Sequence, residues 1–241
     1  MECDTTICVL TYNAIDVTKK FLELLYKNTE NFKLILIDNG SSDGTPQYLN
    51  DILPNLYGAN ATQHAQNIIL NQENHGVIGG RNMGFAIFAT EPTKYLCFLD
   101  NDQFVQNGWL EQHINYMRDN NLDIVGADAW LLNKKFMPTY HSTKKGDPYS
   151  YVGCGGMLMK KEVVENVGSF DAQFNPAYFE DPDYNFRAMQ KQYKIGWNAH
   201  AKIVHMPHQT LGQNSQRGKI FRESYEKFCV KWQDYNPIVM R

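Results

Sequence analysis

Two aspartates flank an asparagine at Asp100-Asn101-Asp102, directly after the apolar run Tyr95-Leu96-Cys97-Phe98-Leu99. Such a run reads as a buried strand, and its break into acidic residues delivers carboxylates at the strand's end. Hard divalent cations take oxygen ligands, and Mg²⁺ is commonly held by one or two carboxylates plus substrate phosphates. Asp and Asn also favour ordinary turns by bonding their own backbone, so the triplet gains meaning only from its company. Asp38 closes another apolar run, Leu34-Ile35-Leu36-Ile37, and Arg81 sits in the glycine-bearing stretch Gly79 to Gly84. A guanidinium there would bring a fixed positive charge with bidentate reach to a base or phosphate. Glu180-Asp181-Pro182-Asp183 puts three carboxylates in four residues. Asp181 before Pro182 suits a helix N-cap, yet the repulsion among three acids exceeds what capping needs. An ionised carboxylate facing a substrate can take a hydroxyl proton, so Glu180 or Asp181 is a candidate base. His205, after a strand-like run, could complete a cation shell or bind a diphosphate, while His208 fits a surface role.

The elements that must position these groups alternate along the chain. Thr6 to Leu10 is a continuous apolar run, as a parallel strand buried on both faces should be, and it ends in Thr11-Tyr12-Asn13. A helix follows with Val17, Phe21, Leu24 and Leu25 on one face, then the strand ending at Asp38. Thr45-Pro46 reads as an N-cap and first-turn proline for a helix stopping before Pro54, and residues 55–66 read as an exposed insertion. A short strand at Ile68–Leu70 precedes Asn74-His75-Gly76 and a glycine loop whose bare backbone could approach a ligand, with a helix from Phe85. Alternation of strand and helix at this spacing predicts βαβ units and a parallel sheet, with Thr11-Tyr12-Asn13, Asp38 and Asp100-Asn101-Asp102 along one edge. That edge would suit a nucleotide, with the cation and diphosphate at the Asp pair.

Beyond residue 105 the pattern predicts a helix through Trp109 to Met117, one strand over Ile124–Leu132, and a mobile loop over 133–150. Gly153 to Gly156 leads into Met157–Met159, and strands or a hairpin lie within Lys194 to Met206. Gly155, Gly156 and Trp197 are the candidates for the acceptor side. Ile220, Phe221, Tyr225, Phe228 and Trp232 are spaced as a docking helix that could also offer a dimer or membrane-adjacent surface.

A formal net charge of -3 with 20% charged residues gives no electrostatic case for nucleic acid. No apolar stretch approaches the ~20 residues of a membrane helix, and no signal peptide is expected. Five scattered cysteines without Cys-x-x-Cys spacing favour reduced thiols and a cytoplasmic protein, with peripheral contact at the inner membrane face left open. The expected architecture is a single α/β domain over residues 1–241, with a nucleotide-binding half (1–132), a half for a second substrate (133–206) and a C-terminal extension (207–241). Neither G-x-G-x-x-G nor a P-loop occurs.

Taken in order, Thr11-Tyr12-Asn13, Leu36 to Thr45, Asn74 to Gly84, Leu99 to Asp102 and Gly168 to Tyr184 resemble family 2 of the GT-A glycosyltransferases, in the style of its rhamnosyltransferase-like subgroup. The resemblance implies a mixed, mostly parallel sheet flanked by helices and transfer, with inversion, from a UDP-, GDP- or dTDP-sugar to a glycan, lipid-linked or protein acceptor. It implies that Asp38 and Arg81 hold the nucleobase, that Thr11, Tyr12 and Asn13 line its pocket, and that Asn74 and Asn101 complete the donor site. Asp100 would meet the nucleotide's sugar, Asp102 would ligate Mn²⁺ or Mg²⁺, Asp181 would be the base, Glu180 would fix hydroxyls, and His205 would stand near the metal. A nucleotidyltransferase, a glycoside hydrolase and an inactive sugar-binding protein are the competing readings. The first would carry a basic glycine-rich loop where this chain has Thr11-Tyr12-Asn13-Ala14.

Overall fold

β1 (Thr5–Thr11) is an interior strand of the main sheet, and every residue but Leu10 is buried. β2 (Phe32–Asp38) and β4 (Tyr95–Asp100) run parallel to it on either side. The computed structural model describes residues 3–52, 67–206, 216–236 and 239–240; the expected insertion at 55–66 and His208 lie outside them. Among the described residues the main sheet has seven strands. β3 (Asn67–Leu70) extends the parallel half beyond β2. On the other side, β10 (Met157–Lys160) pairs antiparallel with β4 and with β6 (Ile124–Gly126), and β11 (Ile195–Trp197) closes the sheet parallel to β6. The expected mixed, mostly parallel sheet is what forms.

Alternation across β1 divides the core in two. Ile7 and Val9 pack with Phe21, Leu22 and Leu25 of α1 (Ile15–Asn28) and with Met117 of α4 (Trp109–Asp119). Cys8 faces the opposite layer with Phe85 and Phe88 of α3 (Gly76–Phe88). Each fully buried Leu, Ile or Phe contributes roughly 1.5–3 kcal/mol by leaving water. On α1 the inward residues include Thr18 and Leu22, where the periodicity had favoured Val17 and Leu24. Thr18 is buried because its hydroxyl bonds Thr11 Oγ1 and Asn101 Nδ2.

Several expectations are corrected. The glycine stretch is not a loop: α3 begins at Gly76, and its glycines let the helix press onto β1. A Cβ on Gly80 would lie 2.5 Å from Leu10 Cδ1, and one on Gly84 would lie 2.3 Å from Cys8 Sγ. Thr45 is not an N-cap; Gly44 precedes a short turn, α2 (Thr45–Gln47), which widens into a π-helical turn over Tyr48–Ile52. The single strand over 124–132 is two, because the chain leaves the main sheet after Gly126. β7 (Ala129–Leu132) instead forms a small sheet with β8 (Pro138–His141) and β9 (Tyr151–Val152). Residues 133–150, read from sequence as a mobile loop, thus hold a paired strand, with Asp147 accepting bonds from Thr143 N, Lys144 N and Tyr140 OH. β11 and β12 (Ile203–His205) are no hairpin; β12 pairs antiparallel with β5 (Gln103–Val105).

The C-terminal α7 (Arg217–Lys231) follows the short α5 (Lys161–Val167) and α6 (Glu180–Gln190) in the chain. The aromatic face of α7, expected to dock and considered also for a dimer or membrane-adjacent surface, is turned inward. Phe228 lies against Phe179 and Phe186, and Trp232 against Phe186. Among the described residues no helix is long and apolar enough to cross a membrane.

Candidate active site

The register of the main sheet aligns Thr11 with Asp38 and Leu10 with Asp100, so the strand ends form one edge. Since β10 is antiparallel to both β4 and β6, β6 runs with β4 and sends Asp128 to the same edge, while β10 enters from it through Gly153–Gly156. His205 pairs with Gln103, which sets β12 beside the acidic turn. The N-terminus of α6 completes the wall. Around these ends lies a cavity of about 460 Å³, lined among others by Thr11, Tyr12, Asn74, Arg81, Asp100, Asn101, Asp102, Gly155, Glu180, Asp181 and His205.

Arg81 is buried among the carboxylates. Its Nη2 donates to both oxygens of Asp100, at 2.7 and 3.0 Å, and its Nη1 stands 3.6 Å from Glu180 Oε1. Asn101 turns inward to Thr11 and Thr18, which directs the flanking aspartates outward from the turn. Asp102 faces His205, with Nε2 3.5 Å from Oδ1, and this carboxylate raises the pKa of the imidazole. Asp102 Oδ1 is buried without a hydrogen-bond partner among the described residues.

The second acidic cluster divides its labour. Asp181 is not a cap: α6 starts after Phe179, whose φ of 67° follows Tyr178 at 75°. Left-handed non-glycine residues cost about 1–3 kcal/mol each and persist where packing over-determines them. Phe179 is held by Phe221, Tyr225 and Phe228, and Tyr178 accepts from Arg217 Nε at 2.7 Å. Asp183 points away from the cavity to Arg187, Lys231 and Trp232 Nε1, so it is structural. Glu180 and Asp181 face the cavity, and Glu180 Oε2 and Asp181 Oδ1 have no hydrogen-bond partner among the described residues. Burial, then the neighbouring Glu180, raises the Asp181 pKa well above the usual carboxylate range, against the lowering pull of Arg81. Burial also raises Glu180, with Arg81 opposing it most strongly.

Four expected site residues lie elsewhere. Asp38 is fully buried and bonds Ser41 N and Oγ, so its carboxylate is satisfied within its own turn. Asn13 is joined to Ser41 and Ser42, outside the lining. Gly156 has φ 78°, donates to Phe98 O and accepts from His113 Nε2, which makes it a strand-entry turn. Trp197 is buried in β11 with its ring against Tyr149. The cavity also includes residues that sequence reasoning passed over: Asn39, Asp128, Trp130, Tyr151, Tyr178 and Arg217. Asp128 had one signal, an acid interrupting what otherwise reads as an apolar strand. Arg217 had none.

The family model described as Glycosyl transferase family 2 matches residues 6–168, well over half of the chain. The chain belongs to glycosyl transferase family 2. The family match covers every strand of the parallel half and ends before the α6 carboxylates, which come from the remainder. An uncharacterised glycosyltransferase of Haemophilus influenzae is 30% identical over 118 residues, covering 48% of this chain and 43% of that protein. The minor teichoic acid biosynthesis protein GgaB of Bacillus subtilis is 26% identical over 180 residues, 68% of this chain and 19% of its own length. The chain thus spans under half of these curated relatives. Among solved structures, a mannosyltransferase of Pyrobaculum calidifontis in complex with GDP-Man and Mn²⁺ superposes with TM-score 0.70 at 13% identity, over 95% of this chain and 65% of that one. GalNAc-T7 with UDP, GalNAc and Mn²⁺ gives 0.75 at 13% identity, over 97% and 49%. These neighbours establish the GT-A fold of this family 2 chain.

Proposed function

We propose that this protein transfers a glycosyl group, with inversion, from a nucleotide-diphospho-sugar to an acceptor hydroxyl, aided by a divalent cation. The observation that carries the reading is the meeting of Arg81, Asp100, Asp102, His205, Glu180 and Asp181 on one cavity at the carboxyl edge of the sheet. The solved neighbours hold a nucleotide-sugar or a nucleotide with a sugar, each with Mn²⁺.

Thr11, Tyr12 and Asn74 form the wall for the nucleotide. Asp102 and His205 offer oxygen and nitrogen to Mn²⁺ or Mg²⁺. Among the described residues no three His, Cys, Asp or Glu side chains form a metal cage. Two protein ligands fit a cation whose shell is completed by diphosphate oxygens, and Asp102 Oδ1, which has only the 3.5 Å approach of His205 Nε2 and no hydrogen bond among the described residues, is the atom such a cation would satisfy. When bound, the cation neutralises charge gathering on the leaving diphosphate.

Asp181 is the base, for a physical reason. Glu180 is engaged by Arg81 Nη1 at 3.6 Å, whereas Asp181 has no ion-pair partner among the described residues and turns Oδ1, which accepts no hydrogen bond there, to the cavity where the acceptor must sit. Asp181 takes the acceptor proton while the freed oxygen bonds to the anomeric carbon. The bond from that carbon to the diphosphate breaks on the opposite face, and its electron pair leaves with the diphosphate. Glu180, fixed by Arg81, holds substrate hydroxyls. The test is a thermal-shift screen of UDP-, GDP- and dTDP-sugars with and without Mn²⁺, followed by product analysis with the donor that binds. A product with retained anomeric configuration, or no donor stabilising the protein with Mn²⁺, refutes the reading.

A further inference from the structure

Asp128, Trp130 and His141 form a built cluster on the small sheet at the cavity wall, and the transfer mechanism uses none of them. The indole Nε1 of Trp130 donates to Asp128 Oδ2 at 3.0 Å. His141 stacks on the indole, with centroids 4.5 Å apart and planes 25° apart, and its Nε2 bonds Asp128 Oδ1. Trp130 is therefore held at its N–H and across one face; it packs in part against the core and also lines the cavity. An aromatic plate of fixed orientation loses little entropy on binding, which is how rigid anchors gain affinity.

Asp128 also lines the cavity, and each carboxylate oxygen keeps acceptor capacity beyond its one protein bond. Its position relative to Asp181 is set by Gly153. A Cβ built on Gly153 would lie 3.4 Å from Asp128 Oδ2 and 3.8 Å from Asp181 Oδ2. The two carboxylates thus flank the small space left by the missing side chain. An apolar plate beside a carboxylate matches a sugar ring, which presents a C–H face and hydroxyls on its rim. A simple polyol lacks the flat face, and a lipid chain lacks the hydroxyls.

We infer that Trp130 and Asp128 form the acceptor subsite, that the acceptor is a pyranose ring stacked on Trp130 and bonded through hydroxyls to Asp128, and that Gly153 leaves room for the hydroxyl reaching Asp181. This rests on the transfer reading above for the role of Asp181. His141 acts as a positioning residue, through Trp130.

The test titrates methyl α- and β-pyranosides of glucose, galactose, mannose and N-acetylglucosamine against the whole protein by saturation-transfer NMR. UDP- and GDP-sugar thermal shifts with Mn²⁺ are read in parallel. At least one pyranoside should bind with a Kd in the millimolar range (about 1–10 mM). Trp130→Ala and Asp128→Asn should weaken it at least about tenfold (~1.4 kcal/mol), and Trp130→Phe, which keeps a plate, should weaken it less than Trp130→Ala. Donor thermal shifts should stay as in the unsubstituted protein. Should Trp130→Ala fail to fold, Gly153→Ala serves instead, because its Cβ meets only ordinary contacts while occupying the acceptor space. It too should lower pyranoside binding and leave donor binding intact. Pyranoside binding that is absent up to about 100 mM, or unchanged in the variants, overturns the subsite. Donor binding that persists in that event leaves the transfer reading standing, whereas pyranoside binding without any donor shift keeps the subsite and removes that reading.

Discussion

Arg81 sits between Asp100 and Glu180 with almost no exposure; Glu180 is buried with it and Asp100 is half-buried, so the guanidinium is tolerated in the interior because the two carboxylates are there. Removing one partner of such a group leaves uncompensated buried charge. Arg81→Met should destabilise the protein by about 3–5 kcal/mol in denaturant unfolding, and Arg81→Lys should restore little of it, because an ammonium lacks the planar fork that reaches both carboxylates. Asp181 behaves oppositely. With Asp181→Asn, transfer should fall by roughly 10²–10⁴-fold while donor binding by thermal shift is kept. The same substitution should stabilise the unliganded protein in a pH-dependent way. Below the ordinary carboxylate pKa both folded and unfolded states hold the proton, and Asp181 carries no penalty. As pH rises toward the raised folded pKa, the unfolded chain releases its proton first, so stability is lost across that window. The melting temperature of Asp181→Asn relative to the unsubstituted protein should therefore climb from about pH 4 upward and then level off. A pH-independent difference would mean that the surroundings do not raise the Asp181 pKa.

At the level of elements, two contacts fix where the carboxylates stand. α3 approaches β1 so closely that Gly84 has no room for a methyl group beside Cys8. Gly84→Ala should cost about 1–3 kcal/mol by overpacking, and adding Cys8→Ala should recover part of it in a double-mutant cycle. α6, which presents Glu180 and Asp181, is anchored at Asp183. That fully buried carboxylate receives Arg187 Nε at 2.8 Å, Lys231 Nζ at 2.6 Å and Trp232 Nε1 at 3.0 Å. Lys231 also holds Asp171, whose pKa is lowered to about 2, burial being outweighed by bonds from Lys231 and Gln173. Lys231→Met should destabilise by about 1–3 kcal/mol, the range for a lost bond to a charged group. Guanidinium titration measures it, and transfer rate measured well below the unfolding midpoint should fall too if α7 positions α6.

For the molecule as a whole, cation and nucleotide should stabilise together. A nucleoside diphosphate at 100 times its Kd contributes about 2.7 kcal/mol, which for a chain of this size is a rise of about 5–10 °C in Tm. That rise should need Mn²⁺ and should shrink to its metal-free value in Asp102→Ala. A full shift retained by Asp102→Ala would remove Asp102 from the cation's ligands. The strands of the parallel half, their parallel order and the Asp100-Asn101-Asp102 turn were legible in the sequence, because short continuous apolar runs bounded by turn residues suit strands buried on both faces. So was the gathering of residues 81, 102 and 181, through the resemblance. Asp38, Gly156 and Trp197 lie off the cavity lining because each is engaged by partners that residue type alone does not reveal: Ser41 in the turn, Phe98 and His113 across the sheet, Tyr149 across the core. Glycines 79–84 were misread for a related reason, since helix-to-sheet packing and ligand approach both demand a bare backbone. By itself the sequence determined which segments bury themselves and where acidic turns interrupt them, because burial and turn chemistry are local properties of residue type. Only the tertiary structure decided which carboxylates keep a cation beside them and which face the cavity without one, because pairing and desolvation depend on neighbours that the chain brings together from a hundred residues apart.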